Sequence, residues 1–453
     1  MSFPKDFVWG AAAASYQIEG GAYADGKGLS VWDMMCRQPS RVYGGHTGEA
    51  ACDHYNRYEE DVVLMRDLGL MAYRFSISWP RVLPDGTGAV NEKGLSFYDR
   101  LVDELLAADI IPHITLFHWD FPHELYCRGG WLNPDSQQWF AEYTATVVDR
   151  LSDRVQHWMT LNEPQCFIGL GLLEGTHAPG DKLGLADVLR AGHHALLAHG
   201  RSVQVIRARA KSQSVVGYAP TGTPVMPQDE NDAENIEVAR RAMFAVKNRN
   251  CWNISWWSDP VILGHYPEDG LAIYGPDAPR ATADDFEIMC QPLDFYGTNV
   301  YHGWTIGRNT RGKFRNVGRA QGHAVCANKW PVTPEALYWG PRFYYERYKL
   351  PIVITENGLS CQDWVSVDGQ VHDPQRIDFT TRYLRELGRA GEDGVPIEGY
   401  FHWSAFDNFE WAEGYNERFG LIYVAYQTQQ RILKDSARWY RGVIESNGAT
   451  LAE

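Results

Sequence analysis

The stretches TLNEP (160–164) and ITENG (354–358) each close an apolar run with a Glu beside an Asn. A carboxylate can move a proton, attack carbon or hold a cation, and two facing one substrate can divide those tasks. In glycoside hydrolysis one acid protonates the leaving oxygen while the other attacks the anomeric carbon or activates water. A single Glu at a strand end reads as a surface ion pair. Glu163 and Glu356, each flanked by Asn and by a chain break at Pro164 or Gly358, call for a shared task. To share it they must differ in proton affinity, one holding its proton near neutral pH while the other stays ionised. Arg74, in YRFSISW, is a candidate for keeping one of them charged, since a nearby guanidinium favours the carboxylate.

Eight short runs rich in β-branched or aromatic residues could carry such groups: 7–14, 72–79, 110–119, 155–163, 214–220, 293–301, 351–357 and 397–404. Helix-like segments such as 55–69, 94–109, 135–153 and 378–391 lie between them. Alternation without linker, repeat or low-complexity tract predicts one α/β domain over 1–453, a closed (β/α)8 TIM barrel. At 453 residues, against about 250 for a typical barrel, its βα loops must be long and build a deep pocket. Glu163 and Glu356 would end strands 4 and 7, at the barrel face where catalytic groups sit. The segment 303–330 carries six Lys/Arg and no acid, which predicts a solvated rim loop.

Composition narrows the partners. A formal charge of -15 repels phosphates, which argues against nucleic acid and anionic membranes. No window is apolar enough for a membrane span, and the N-terminus is too weakly cationic for a signal peptide. The eight Cys are scattered without a metal-ligand spacing and are expected to be reduced and mostly buried, in a cytoplasmic protein. His113 and His118 stand five apart on a strand, so on opposite faces, and no third ligand has useful spacing: no metal is expected. GGAYADGKG (20–28) lacks the residue order of a phosphate cradle and reads as turns; no cofactor is expected.

The motifs FVWGAAAASYQIEGG, YRFSISWPR, TLFHWDFP, TLNEP, HAPG, DFYGTNVY, ITENG and SAFDNFEWAEGYNERFGLIYV follow one another along nearly the whole chain. In this order they resemble glycoside hydrolase family 1, the β-glucosidase family. The resemblance implies a small-molecule β-glycoside substrate and a retaining double displacement, with Glu163 as acid/base and Glu356 as nucleophile. The carboxyls would then stand roughly 5 to 5.5 Å apart. It further implies that Asn162 bonds the sugar 2-hydroxyl and that Tyr301, near Asn299, steadies the nucleophile alongside Arg74. A pyranose needs hydroxyl partners around its edge and an aromatic platform. Gln17, His118, Trp119, Glu410 and Trp411 resemble the family's hydroxyl-binding set, with Trp403 as the stacking floor and Phe419 near the 6-position.

Two alternatives share this scaffold. A 6-phospho-β-glucosidase would carry a phosphate-binding Lys where this chain has Glu417, so like charges would meet. A non-catalytic sugar-binding relative would have lost one of the glutamates, and both stand here. The chain departs from the family at Gln165, where Trp is common, and at Val300, where an aromatic is. Gln165, on the aglycone side, predicts weaker stacking of aryl leaving groups and altered product inhibition or transglycosylation.

Overall fold

A computed structural model describes residues 3–452. All eight expected strands form: β1 Val8–Ala12, β2 Ala72–Ser76, β3 Ile111–Phe117, β4 His157–Asn162, β5 Val215–Ala219, β6 Phe295–Asn299, β7 Ile352–Asn357 and β8 Ile397–Trp403. They pair in parallel in chain order, and β8 returns to β1 to close a (β/α)8 barrel. Strands covered on both faces read as near-continuous apolar runs. Every residue of β2 and β7 is buried accordingly. Among the described residues no helix is long and apolar enough to cross a membrane.

The expected helical segments appear as His54–Asp67, Glu92–Ala107, Ser136–Leu151 and Pro374–Glu392. In Glu92–Ala107 the buried Leu95, Tyr98, Leu101, Val102 and Leu105 recur at three- and four-residue steps, the stripe that seats a helix on a barrel. All eight Cys are unpaired; Cys127 is exposed, Cys290 and Cys361 are half-buried, and the other five are buried.

The basic segment 303–330 is more than a solvated rim. Its strands Trp304–Arg308 and Phe314–Asn316 join Val225–Pro227 in a three-stranded sheet over the barrel mouth. Arg308 pairs with Asp232 and Glu234, so part of its charge is neutralised by acids distant in sequence. Arg319 lies 4.5 Å over the ring of Trp304.

ITENG is built by close approach. Asn357 donates from Nδ2 to the Val300 carbonyl (2.7 Å) and accepts from the Tyr400 hydroxyl at Oδ1 (2.9 Å), stitching the end of β7 to both neighbouring strands. A Cβ at Gly358 would lie 1.8 Å from the Trp403 carbonyl oxygen, so no side chain fits. Gly358→Ala is therefore expected to cost about 1–3 kcal/mol, as overpacking does. Gly391→Ala, in the helix Pro374–Glu392 with nothing within 4 Å of the added Cβ, should gain about 0.5–1 kcal/mol. Thermal unfolding checks this: a fall in Tm for the first and a rise for the second are expected, and equal responses would contradict the close approach.

Candidate active site

The site begins with a turn. Pro164 opens the short helix Pro164–Ile168, and a residue before proline is kept out of the right-handed helical region. Glu163 takes φ 46°, ψ 69°, its N–H donating to the Ala219 carbonyl (2.9 Å) at the end of β5. This left-handed turn brings the side chain from the end of β4 into the cavity at the barrel mouth. Glu356 arrives differently, inside β7, opposite Asn299 across a register shift.

Between the two carboxyls runs a chain of hydrogen bonds. Arg74 Nη1 donates to Glu356 Oε1 (2.6 Å) and Nη2 to Asn162 Oδ1 (2.6 Å). Its Nε donates to Thr115 Oγ1 (3.1 Å), and Nη1 also reaches the Thr355 carbonyl (3.0 Å). Asn299 Nδ2 donates to Asn162 Oδ1 and to Glu163 Oε1, both at 3.0 Å. Its own Oδ1 accepts from Thr355 Oγ1 (2.6 Å). The Tyr301 hydroxyl donates to Glu356 Oε2 (2.7 Å), and Tyr383 fixes Tyr301 by donating to its carbonyl (2.9 Å).

With Asn162 Oδ1 accepting two donors, its Nδ2 must give a hydrogen to His118 Nε2 (3.0 Å). His118 is then neutral with its proton on Nδ1. Burial and the Arg74 charge hold its pKa well below the usual value, in agreement. Trp119, at φ 79°, donates from its ring N–H to the Asn162 carbonyl (2.9 Å). Trp411 also has positive φ (48°), and such non-glycine positions store on the order of 1–3 kcal/mol each and gather at functional sites.

The carboxyls differ in proton affinity. Burial and then the charge of Glu356 raise the Glu163 pKa to about 7, against the pull of hydrogen bonds from Asn299, Cys166 and Thr221. Burial also lifts Glu356, but Arg74 and Tyr301 draw it back. Glu163 is therefore the proton holder of the pair. Glu410 is lifted to about 8 by burial and by Glu356 and Glu417.

A cavity of about 580 Å³ collects these groups. Of the residues singled out in the sequence, His118, Trp119, Glu163, Tyr301, Glu356, Trp403, Glu410, Trp411 and Phe419 line it. Arg74, Asn162, Asn299 and Gln17 are buried against its wall. Gln17 Nε2 donates to the Phe409 carbonyl (2.9 Å) and reaches Glu410 Oε2 (3.3 Å), while its Oε1 is buried without a partner. Gln165 is 1 % exposed and lines an adjoining recess. Val300 is buried and leaves no aromatic at its position. Trp252, Trp304 and Trp330 also edge the cavity. Trp252 and Trp330 sit in loops and Trp304 opens the strand Trp304–Arg308; none was singled out, nor were Thr115, Thr355 and Tyr383.

Two carboxyls of opposed character, a buried cation and an aromatic floor make a site for acid–base work on a neutral polyol. The profile of Glycosyl hydrolase family 1 matches residues 1–449. The chain belongs to this family. Family 1 relatives cover its whole length: a 1,4-β-D-glucan glucohydrolase of Thermotoga neapolitana is 44 % identical, covering 99 % of both chains. β-Glucosidase A of Thermotoga maritima is 42 % identical over 98 % of each. The solved family 1 β-glucosidase from Thermotoga maritima superposes with a TM-score of 0.89, covering 99 % of both chains. An aryl-phospho-β-D-glucosidase of Bacillus subtilis is 37 % identical over 99 % of this chain and 98 % of its own.

Because the Glu356 charge helps hold the proton on Glu163, Glu356→Gln should lower the Glu163 pKa below its value of about 7. Carboxyl carbon NMR titration reads this, and an unchanged or raised pKa would contradict the coupling.

Proposed function

We propose that the protein is a retaining β-glucosidase that removes terminal β-D-glucosyl residues from cellobiose, short oligosaccharides of cellulose degradation and aryl glucosides. In the first step Glu356 attacks the anomeric carbon as the glycosidic C–O bond breaks, and Glu163 gives its proton to the departing oxygen. In the second, Glu163 takes a proton from water, which attacks the glycosyl–enzyme ester and frees Glu356. The observation that carries this is the opposed setting of the two acids: Glu356 held by Arg74 (2.6 Å) and Tyr301 (2.7 Å), Glu163 lifted to about 7.

The remaining groups have roles that follow from chemistry. Asn162 keeps one amide hydrogen for the 2-hydroxyl. Gln17 Oε1, unpartnered, and Glu410 accept from hydroxyls on the far edge, with Trp411, Trp119 and His118 around the ring. Trp403 offers the apolar platform, stacked on His118 at 5.7 Å, and Phe419 closes the 6-position. The whole chain acts as one catalytic domain. Its unpaired cysteines support a cytoplasmic location.

A 6-phospho-β-glucoside is disfavoured, because Glu417 lines the cavity where a phosphate-binding Lys would be needed, and no Lys or Arg stands in the lining among the described residues. A binding-only role is disfavoured by the presence of both acids and by the bonds that set them apart.

Two outcomes test the acid. Glu163→Gln should slow hydrolysis of glucosides with poor leaving groups by about 10²–10⁴-fold, and of good ones much less, since only the former need the proton. Equal losses would remove Glu163 from this role. In the wild type kcat/KM should fall as pH rises through about 7, where Glu163 loses the proton it must donate. A basic limb that stays in place in Glu163→Gln would contradict this.

A further inference from the structure

A second large hollow lies apart from the one that holds the carboxyls. It is a groove of about 800 Å³ between the segment 324–332, the stretch that follows β7 and the start of the helix Pro374–Glu392, and it shares no lining residue with the reaction cavity. We infer that this groove binds a stretch of β-1,4-glucan, as a sugar-binding site separate from the catalytic one. The choice of a glucan as occupant rests on the β-glucosidase reading above; the fitness of the groove for a neutral sugar does not.

Trp364 decides the class of ligand. It is 69 % exposed in the lining of the groove, and bare aromatic surface in a hollow marks a binding site. Val325, 56 % exposed, and the buried Leu359 and Phe379 extend the apolar part of the lining. The exposed Gln362 and Gln375 add amide donors and acceptors. No Lys or Arg lines the groove among the described residues, so an anion has no partner there. Its titratable groups are already paired: Asp363 with Arg376 (2.8 Å) and Lys434 (2.6 Å), Asp378 with Arg382 (2.8 Å), and His372 between Asp368 and Asp435. Little free charge is left, which suits an uncharged ligand. A β-1,4-glucan is a flat ribbon with C–H faces and hydroxyls along its edges, so it meets both the indole and the amides.

Size and place agree. At about 800 Å³ the groove stands in the upper part of the ~300–1,000 Å³ span of ligand sites, with room for more than one sugar ring. One wall separates it from the chemistry: Ala327 lines the groove, while Asn328 and Trp330 of the same segment line the reaction cavity. Ser360, in the lining of the groove, donates to Glu417 Oε2 (2.7 Å) and accepts from the Asn328 N–H (2.9 Å), and both of those residues line the cavity. A glucan held in the groove therefore stays beside the cavity that consumes chain ends. Tethering of this kind raises the effective concentration of ends at the barrel mouth.

The test is native electrophoresis in gels with and without hydroxyethyl cellulose, a soluble β-1,4-glucan, for the wild type, Trp364→Ala, Trp364→Phe and Gln375→Ala. Neither position lines the reaction cavity, so kcat/KM on 4-nitrophenyl β-glucoside and Tm should keep their wild-type values. The glucan should retard the wild type. The Kd read from retardation should weaken about tenfold in Trp364→Ala and a few-fold in Gln375→Ala, with Trp364→Phe between wild type and Trp364→Ala because a smaller ring still stacks. A wild type that is not retarded, or equal retardation of Trp364→Ala, overturns the inference and leaves the hydrolytic reading in place. Retardation that depends on Trp364, in a protein that hydrolyses no β-glucoside, supports the groove and removes the β-glucosidase reading. Loss of a dimer on gel filtration of Trp364→Ala, with retardation unchanged, would assign the surface to a second copy of this chain and overturn the glucan site.

Discussion

Arg74 is a cation with almost no access to water, 1 % exposed in the middle of the barrel mouth. Desolvating a guanidinium costs several kcal/mol, and only well-placed partners offset that. Its partners come from three other strands: Glu356 and the Thr355 carbonyl in β7, Asn162 in β4 and Thr115 in β3, around Arg74 in β2. The same contacts keep Glu356 the more readily ionised of the two acids and fix Asn162 by its oxygen. Removing either member of the pair would leave a charge buried and unpaired, which costs about 3–5 kcal/mol in such settings. Stability and reactivity are thus tied to one side chain.

The second acid is set apart by geometry. Glu356 sits within a strand where a guanidinium and a phenol converge on it; Glu163 stands beyond its strand, at a left-handed turn fixed by Pro164, where its bonds come from neutral groups. Burial raises the pKa of both, and the difference in neighbours separates them. Elsewhere in the wall, Glu410, lifted to about 8 by burial and its acidic neighbours, offers a carboxyl to hydroxyls, while Glu417 stands in a lining that holds no Lys or Arg among the described residues, which disfavours phosphate.

The barrel was legible because strands buried on both sides write apolar runs, and polar residues at their ends stand out against them. Glu163, Glu356, Arg74 and Asn162 were visible for that reason. Thr115 has the same inward register beside Arg74, a polar residue in an apolar run, and period-2 counting along TLFHW could have found it. Tyr383 and Trp252 carried no such signal. Each reaches the site from a helix or long loop whose path is set by tertiary packing. The basic segment is largely exposed, as its charge suggests, but its short strands and the pairing of Arg308 were not legible, because the acids that neutralise Arg308 lie more than seventy residues earlier in the chain. Helix Leu185–Arg209 was not singled out because His193, His199 and Ser202 interrupt its apolar stripe, although all three are buried. Gln165 was noticed as a departure from the family, but its place in an adjoining recess depends on the loop after β5, which no local pattern specifies.

The central claim is that Glu356 forms a bond to the sugar. The most direct measurement is the anomeric configuration of the product when Glu356→Ala hydrolyses an activated β-glucoside in the presence of azide. With the carboxylate gone, azide should enter from the face that Glu356 occupied, restore turnover and yield the α-glucosyl azide. A β-glucosyl azide, or a variant that retains wild-type turnover without azide, would contradict the assignment.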